Sequence, residues 1–327
     1  MIEVAYEDLV LTIKEGENLL DGLLQAGISV PHGCRTGSCQ SCLLKCSSGD
    51  IPKDAQKGLK DSQILNHLLL ACVCIPEGPM QLSLPTSQQP KHQATVTHLT
   101  RRNSTIMEVG LEVKPPLEYR AGQYIHLYRP DGTGRCYSLA SVPSLDANLI
   151  LHVEAYPNGA LSQWIHQALS VGDWVSISDA AGDCLYIPGT PDQPLLLIGT
   201  GSGLAPLYGI LRDALEYGHQ GPIHLYHGSR NKKGLYLEDE LNELMATHPQ
   251  FNYQPCVSGN QTKLRPPLLK GRAAEIALAA HEDLSGWRVY LCGDPEMVKT
   301  TQFQVFLAGA SPREIHVDAF ESQAPKI

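Results

Sequence analysis

The sequence predicts a multidomain protein of the α+β and α/β classes, in which an antiparallel β-barrel lies between a small α+β block and an open parallel sheet. Its 327 residues are too many for one ordinary domain. Clustered cysteines occur near the beginning, and the hydrophobic pattern later changes from short alternating segments to apolar runs separated by amphipathic helices. These changes predict a first domain over residues 1–86, a linker over 87–92, a second domain over 93–189 and a third over 190–327.

The charge balance argues against two classes of partner. Asp and Glu number 34 against 25 Lys and Arg, and the formal net charge is −9. Nucleic acid and anionic membranes attract clustered basic residues, so we expect neither as a partner. The N-terminus lacks the features of a secretory signal, and the longest apolar run, residues 68–75, is too short to cross a bilayer. We therefore expect a cytoplasmic protein, in which ten cysteines suggest metal binding rather than disulfides.

Local patterns in the first block predict two strands and a helix. Apolar residues alternate over residues 2–6 and again over 9–13, which is typical of a β-hairpin. Four leucines then recur at helical spacing before Gly27 ends the helix: Leu19, Leu20, Leu23 and Leu24.

The clustered cysteines have the spacing of an iron–sulfur site. Cys34, Cys39 and Cys42 form a C-x4-C-x2-C pattern, which is assigned to plant-type [2Fe-2S] clusters. The loop is short of bulky residues, so its backbone N–H groups can turn towards the sulfur atoms of a negatively charged cluster. A structural zinc site also uses four cysteines, but zinc sites more often pair two C-x2-C motifs.

The block resembles the plant-type ferredoxins, which implies a β-grasp fold and a fourth cysteine ligand. In that family the last ligand follows the third after 29 residues within a Leu-x-Cys segment, and the same separation leads from Cys42 to Cys72 in this chain. The resemblance therefore implies Cys72 as the fourth ligand, with Cys74 and Cys46 as additional cysteines. Gln40 departs from the glycine that related reductases usually carry.

The second block is predicted to be a barrel, because short β-patterned segments alternate with Gly and Pro turns. One helix, over residues 162–169, interrupts the strands. The predicted strands are residues 94–98, 124–128, 149–154 and 174–178.

The segment from Arg135 to Ser138 resembles the Arg-x-Tyr-Ser motif of the ferredoxin–NADP reductase superfamily, whose barrel binds a flavin. An arginine fork can hold a pyrophosphate bidentately, and the resemblance implies this role for Arg135. It also implies that Tyr137 covers the isoalloxazine ring and that Ser138 forms a hydrogen bond with flavin N5, where the hydride arrives.

The same resemblance implies further flavin contacts downstream. A helix that begins with small residues offers its N–H groups to phosphate, and the superfamily places the flavin pyrophosphate at Gly159, Leu161 and Ser162. His152 and Val153 are implied to run along the flavin, although an ordinary barrel strand explains them nearly as well. Because a helix is present to cover an adenosine, the expected cofactor is FAD rather than FMN.

In the third block, buried strands alternate with helices. Residues 195–198 form a continuous apolar run, and residues 223–226 and 289–291 predict two further strands. Glycines after the first strand let the backbone approach a pyrophosphate at a helix N-terminus. This turn resembles the Gly-Thr-Gly…Ala-Pro turn of the superfamily, and its predicted nucleotide-binding residues are Gly199, Thr200, Gly201, Gly203 and Pro206.

Two later segments extend the resemblance. Cys292 and Gly293 begin a Cys-Gly-x-Pro turn that the superfamily places beside the nicotinamide, and Asp318 and Phe320 resemble its acidic-x-aromatic ending. The resemblance implies that Ser138, Cys292, Asp318 and Phe320 line one hydride-transfer pocket. Core packing stays open for Phe320, because it replaces a tyrosine of the plant enzymes and seven residues follow it.

The preference between NADH and NADPH stays open. An acidic residue after the second strand of the block would bind the ribose hydroxyls of NADH, and none is present there. Ser229 and Arg230 could instead hold the 2′-phosphate of NADPH, but reductases with this domain order mostly use NADH.

The order of ferredoxin, flavin barrel and nucleotide domain resembles the reductase components of oxygenases and hydroxylases, and equally the iron–sulfur flavoproteins of deoxysugar pathways. It implies hydride transfer from NAD(P)H to FAD, and then single electrons through a [2Fe-2S] cluster to a protein acceptor. Two other functions stay open. One is a non-catalytic redox sensor, suggested by Cys46 and Cys74, and the other is a simple flavin reductase.

Overall fold

The structure is a computed structural model that describes residues 1–32, 35–37, 40–85, 91–260 and 265–320. The chain divides into two compact units, Met1–Ser87 and Gln88–Ile327. One hydrophobic core lies in the first unit, and three clusters of buried apolar residues lie in the second. Each unit therefore has apolar packing of its own.

The first unit is a five-stranded mixed sheet with two short helices, an arrangement of the β-grasp type. Its strands are β1 (Ile2–Tyr6), β2 (Leu9–Ile13), β3 (Leu43–Ser48), β4 (Leu68–Leu70) and β5 (Met80–Ser83), and its helices are α1 (Leu19–Gln25) and α2 (Asp61–Leu65). The strand order is β2-β1-β5-β3-β4, in which β1 and β5 are parallel and the other neighbours antiparallel. The predicted hairpin and leucine-patterned helix are confirmed.

Helix α1 is held in the first unit by an N-terminal cap and by its buried leucines. The side-chain oxygen of Asn18 caps the helix by accepting hydrogen bonds from the backbone N–H groups of Leu20, at 3.0 Å, and Asp21, at 3.4 Å. Leu19, Leu20 and Leu23 are buried in the core of the unit. The helix is therefore fixed by its cap and by one apolar face.

The second unit begins with a six-stranded antiparallel sheet and one helix. Its elements are β6 (His92–Arg101), β7 (Ile106–Val113), β8 (Tyr124–Tyr128), β9 (Gly134–Ser138), β10 (Leu149–Glu154), α3 (Ala160–Gln167) and β11 (Trp174–Ile177). The order is β10-β7-β6-β11-β8-β9. An isolated bridge between Leu139 and Leu151 joins the two edges, so the sheet closes into the predicted barrel.

A six-stranded parallel sheet follows. Its strands are β12 (Leu195–Thr200), β13 (Ile223–Ser229), β14 (Phe251–Val257), β15 (Leu269–Lys270), β16 (Arg288–Gly293) and β17 (Ile315–Ala319), and its helices are α4 (Leu204–Glu216), α5 (Glu238–Thr247), α6 (Ala273–Ala280) and α7 (Pro295–Leu307). The order β15-β14-β13-β12-β16-β17 places the reversal of strand order between β12 and β16. Ligands of open α/β sheets bind at the carboxyl ends of the strands at this point.

Some element ends differ from the sequence-based prediction. Helix α3 begins at Ala160, two residues before the predicted start, and β12 continues through Thr200. Eight strands were not predicted as such: β3, β4, β5, β7, β9, β14, β15 and β17. In the part of the chain that the structure describes, no helix is both long and apolar enough to cross a membrane.

Candidate functional site

Three strands bring Ser138, Cys292 and Asp318 together. Ser138 ends β9 of the barrel, whereas Cys292 and Asp318 are paired neighbours on β16 and β17 of the parallel sheet. The hydroxyl of Ser138 donates a hydrogen bond to Oδ2 of Asp318 at 2.6 Å, and Ser138 is 7% exposed. The barrel and the parallel sheet therefore share one buried polar site.

The protonation of this site is set mainly by burial. Burial raises the pKa of Asp318 to about 6, and the hydrogen bond from Ser138 offsets only part of the rise. Burial also raises the pKa of the Cys292 thiol well above its ordinary value, and the Cys184 thiol, 3.7 Å away between sulfur atoms, adds to the rise. Asp318 thus changes charge near neutral pH, while Cys292 stays a neutral thiol.

Phe320 is attached to the same region through its backbone. Its N–H donates to the carbonyl oxygen of Gly293 at 2.8 Å, and its side chain is half-buried. The structure therefore brings all four residues of the predicted hydride-transfer pocket together. That the ring of Phe320 covers a flavin stays a prediction.

The glycine-rich turn after β12 packs against the turn after β16. A Cβ atom on Gly203 would lie 2.3 Å from the carbonyl oxygen of Cys292, and one on Gly293 would lie 2.6 Å from the carbonyl oxygen of Thr200. The hydroxyl of Thr200 also accepts a hydrogen bond from the N–H of Asp294 at 3.2 Å. The two turns approach so closely that side chains at positions 203 and 293 would force them apart.

Gly199 and Pro206, at the two ends of this turn, lie in the strand and the helix that the turn connects. Gly199 lies in β12 opposite Cys292 of β16. Pro206 is buried in the first turn of α4, where its missing N–H costs no hydrogen bond within the helix. Both residues help to set the path of the backbone from strand to helix.

Glu154, the last residue of β10, is a site residue that sequence reasoning missed. Its Oε2 atom accepts hydrogen bonds from the backbone N–H of Ser202, at 3.3 Å, and from the Ser202 hydroxyl, at 3.1 Å. A Cβ atom on Gly201 would lie 2.8 Å from the same oxygen. Because 48 residues separate Glu154 from Ser202 and a glutamate at a strand end is ordinary, no local signal could have found this contact.

The flavin motif on β9 presents its residues to both faces of the strand. Because side chains alternate along a strand, Arg135 and Tyr137 lie on one face of β9, and Cys136 and Ser138 lie on the other. Arg135 is half-buried, its Nη1 donates to the carbonyl oxygen of Gly134 at 2.6 Å, and burial raises the pKa of Tyr137. A guanidinium and a phenol ring on one face suit the pyrophosphate and ring system of a flavin.

Cys136 differs from the other described cysteines because it is exposed. Its sulfur atom lies 3.0 Å from Nε2 of His126 on the neighbouring strand β8. Burial raises the pKa of the Cys136 thiol and lowers that of His126, so the neutral forms of both groups are favoured.

The start of helix α3 is partly occupied by its own side chains. The Ser162 hydroxyl donates to the carbonyl oxygen of Gly159 at 3.3 Å and accepts from the N–H of Tyr156 at 3.2 Å. Leu161 is buried in the barrel core. Backbone N–H groups rather than the Ser162 hydroxyl would therefore have to bind a phosphate at this end.

The side chains of His152 and Val153 lie inside the protein. The His152 side chain is 1% exposed, with Nε2 3.3 Å from a carboxylate oxygen of Glu108 and Nδ1 3.3 Å from the Tyr236 hydroxyl. Val153 is fully buried in the barrel core. These protein partners account for both side chains, and their contact with a flavin stays a prediction.

Ser229 and Arg230 lie at the carboxyl end of β13. A Cβ atom on Gly234 would lie 2.1 Å from the Ser229 hydroxyl oxygen, so that hydroxyl packs tightly against the following loop. Arg230 is exposed, and its carbonyl oxygen accepts from the N–H of Gly259 at 2.8 Å. A fixed backbone with an exposed guanidinium suits a 2′-phosphate, but the nucleotide preference stays open.

Two of the four predicted cluster ligands, Cys42 and Cys72, are neighbours in the first unit. The N–H of Cys72 donates to the sulfur of Cys42 at 3.5 Å, and the Asn18 amide donates to the carbonyl oxygen of Cys72 at 2.8 Å. Burial raises the pKa of Cys42 to about 11. Paired thiols with a backbone N–H directed at sulfur fit a cluster. Cys34 and Cys39 lie outside the described residues.

Cys46, Cys74 and Gln40 have their own surroundings in the first unit. Cys74 is fully buried, and Cys46 donates from its thiol to the carbonyl oxygen of Ser48 at 3.2 Å. Gln40 has a φ of 54°, in the left-handed region that favours glycine, and its amide donates to the carbonyl oxygen of Gly58 at 3.1 Å. The left-handed backbone explains why related proteins can use glycine at this position.

Three family descriptions match the chain in sequence. A 2Fe-2S iron–sulfur cluster binding domain matches residues 2–77, and an oxidoreductase FAD-binding domain matches residues 93–186. An oxidoreductase NAD-binding domain matches residues 197–302.

Similar curated proteins extend over almost the whole chain. One is the reductase component of the naphthalene 1,2-dioxygenase/salicylate 5-hydroxylase systems of a Ralstonia species, which is 31% identical over 96% of this chain and 96% of its own length. Another is the reductase subunit of an aromatic O-demethylase from an Amycolatopsis species, which is 33% identical over 94% of this chain and 95% of its own length.

Solved structures show the same architecture. An Amycolatopsis cytochrome P450 reductase is similar with a TM-score of 0.69 and 30% identity over 99% of this chain and 100% of that one. The ferredoxin reductase in carbazole 1,9a-dioxygenase is similar in fold, with a TM-score of 0.65 and 22% identity over 98% of both chains.

Proposed function

The chain belongs to the family of NAD(P)H-dependent iron–sulfur flavoprotein reductases, and we propose that its electron acceptor is an oxygenase or hydroxylase component. In this family FAD takes a hydride from NAD(P)H and the [2Fe-2S] cluster passes single electrons to a protein partner. The proposal is supported by relatives that are named as reductase components of such systems and that match more than nine-tenths of both chains. This agreement favours an oxygenase partner over a deoxysugar pathway.

We assign to Ser138 the position beside flavin N5. Its hydroxyl proton is directed to Oδ2 of Asp318, which leaves the lone pairs of the serine oxygen for another donor. When Asp318 is protonated the carboxyl can donate to Ser138, and the serine proton becomes free to point the other way. Asp318 thereby selects whether Ser138 donates or accepts at the reacting atom.

We assign the nicotinamide end of the dinucleotide to the surface beside Cys292 and the pyrophosphate to the glycine-rich turn. Cys292 is fully buried and neutral, so it offers an apolar wall rather than a nucleophile. The turn contributes N–H groups at the start of α4, where a helix dipole favours an anion. Binding at these two places would orient the nicotinamide for hydride transfer.

The observation on which this proposal depends is that three strands bring Ser138, Asp318 and Cys292 together. An anaerobic titration of the purified protein with NADH, and separately with NADPH, tests it. We expect the flavin and iron–sulfur absorbance bands both to bleach, and the nucleotide with the lower Kd identifies the preferred substrate. An iron–sulfur band that stays unchanged while the flavin bleaches would contradict transfer through the cluster and leave a simple flavin reductase.

Variants of the cysteines test the predicted ligands. Cys39→Ser and Cys72→Ser should lose cytochrome c reduction while keeping NAD(P)H-dependent ferricyanide reduction, because ferricyanide can take electrons from the flavin directly. Cys46→Ser and Cys74→Ser are matched controls in the same unit and should keep both activities. Equal cytochrome c reduction in all four variants would contradict the ligand set.

We further propose a cytoplasmic location. None of the eight cysteines within the described residues is in a disulfide, which agrees with a reducing compartment. Fractionation of the producing cells would test this, and recovery of the protein from an oxidising compartment would contradict it.

A further inference from the structure

The glycine-rich turn already holds an anion that the protein itself supplies. The Glu154 carboxylate accepts both the backbone N–H and the hydroxyl of Ser202, at 3.3 and 3.1 Å. Glu154 belongs to the barrel and Ser202 to the first turn after β12, so the contact joins the two halves of the second unit. Gly201 gives the carboxylate room, since a Cβ atom there would lie 2.8 Å from Oε2.

Two described residues, His227 beside the turn and Tyr156 near Glu154, indicate the local charge. His227 approaches the turn with Nε2 3.3 Å from the carbonyl oxygen of Gly201, but burial lowers its pKa to about 4, so it is neutral at pH 7. Burial raises the pKa of Tyr156, and both Glu154 and Asp294 add to the rise. An arriving pyrophosphate therefore meets negative charge from side chains as well as attraction from backbone N–H groups.

A carboxylate and a pyrophosphate cannot share the same N–H donor without strong repulsion. We propose that Glu154 is an internal competitor of the dinucleotide: it binds the glycine-rich turn when the site is empty, and the pyrophosphate of NAD(P)H displaces it. The inference rests on the proposed function, because it needs this turn to be the pyrophosphate site. The competition lowers the affinity for both forms of the nucleotide and speeds the departure of the oxidised product.

Glu154→Gln in the complete, cofactor-loaded protein tests the proposal. The amide oxygen of glutamine can still accept from Ser202, so the turn keeps its hydrogen bonds while the negative charge is lost. We expect the Kd for NAD⁺ or NADP⁺, whichever wild type prefers, to fall about fivefold. Isothermal calorimetry measures this binding without turnover. Inhibition of steady-state turnover by the same oxidised nucleotide should strengthen by a similar factor.

Glu112→Gln is the matched control. Strands β7 and β10 are paired from Ile106 opposite Glu154 at one end to Leu111 opposite Leu149 at the other. Glu112 follows Leu111, so it lies at the end of the pair that is far from Glu154. Its carboxylate pairs with Lys114 on the surface at 2.9 Å. This variant should bind the nucleotide as wild type does. A second variant, Glu154→Ala, should also bind more tightly than wild type, because it removes the competitor completely.

The outcomes separate this inference from the function on which it rests. If wild type binds and oxidises NAD(P)H but both Glu154 variants bind the oxidised nucleotide equally or more weakly, Glu154 is a structural tie for the turn and the inference is wrong. If wild type neither binds nor oxidises either nucleotide, the proposed function itself is wrong.

Discussion

At the residue scale, the contact between Ser138 and Asp318 makes the direction of the Ser138 hydroxyl proton depend on pH. Burial raises the pKa of Asp318 to about 6, above the ordinary range of an aspartate. The carboxyl is therefore mostly protonated below pH 6 and mostly charged above it. Because the charged form accepts the Ser138 proton, the serine oxygen is a better acceptor at neutral pH than in mild acid.

We expect anaerobic flavin reduction by the preferred nucleotide to fall as the pH rises through an inflection near 6 in wild type, because N5 of an oxidised flavin accepts a hydrogen bond and only protonated Asp318 leaves the Ser138 proton free to donate one. Asp318→Asn should remove this inflection and raise flavin reduction at pH 7.5 by about three- to tenfold, since the neutral amide can donate to Ser138 and leave the serine proton free. Stopped-flow absorbance at several pH values measures both effects. A variant that kept the wild-type inflection would show that another group titrates.

Local motifs could predict residues whose role depends on the chain beside them, but not those that depend on distant partners. Ser138 and Cys292 were predicted from short segments, and the structure places them in one region. Glu154 was missed because its partner Ser202 lies in the turn after β12, 48 residues further along the chain. The burial of His152 against Glu108 and Tyr236 was equally invisible, since Glu108 lies on β7 and Tyr236 in the loop before α5.

At the element scale, the most restrictive contact is the one between the two turns that follow β12 and β16. A side chain on Gly203 would meet backbone atoms of Cys292 and Gly293, at 2.3 to 2.8 Å. Backbone cannot move aside as a flexible side chain can. The turn therefore keeps its position only while residue 203 has no Cβ.

Gly203→Ala should weaken nucleotide binding and lower the free energy of unfolding by about 1–3 kcal/mol, because the two strand ends must separate. Gly78→Ala is the control, since a Cβ atom there meets nothing within 4 Å. It should change stability by no more than about 0.5 kcal/mol. Urea unfolding and nucleotide titration measure the two effects, and an unaffected Gly203→Ala would refute the close packing.

The sequence predicted strands best where clear turn signals bounded them, and length did not decide the outcome, since the eight-residue β7 was not predicted. Strands β8 and β10 have the predicted ends, because apolar and polar residues follow a clear strand pattern between Gly and Pro turns. Strand β15 has two residues, both exposed, and depends on pairing with β14, so no local pattern could reveal it. Helix α3 begins earlier than predicted because Gly159 serves as its N-cap.

At the scale of the whole molecule, the barrel and the parallel sheet form one compact unit. Arg102 of the barrel region donates to Glu108 at 2.8 Å and to Glu240 of α5 at 2.7 Å. Burial alone would raise the pKa of Glu108, but His152 and Arg102 hold it at about 2. The sequence predicted separate second and third domains, and the contact between Arg102 and Glu240 could not be seen in it because 138 positions separate the two residues.

Two compact units predict two separable unfolding transitions. Removing the iron with a chelator under reducing conditions should lower the Tm of the Met1–Ser87 unit by more than about 10 °C, because cluster binding contributes directly to its folding. The transition of the Gln88–Ile327 unit should stay where it is. Differential scanning calorimetry with and without the cluster measures this. A single transition that moves as a whole would contradict independent cores.

Because Cys136 is exposed, the barrel can be labelled at this native cysteine. It is the exposed one among the eight described cysteines, and it stands two residues before Ser138 on the same side of β9. Although partial burial raises the pKa of its thiol, its exposure should let a maleimide attach to it at mildly alkaline pH before the reagent reaches the buried thiols. A spin label or fluorophore introduced in this way would report on the surroundings of the nicotinamide pocket from a fixed strand, without any engineered cysteine.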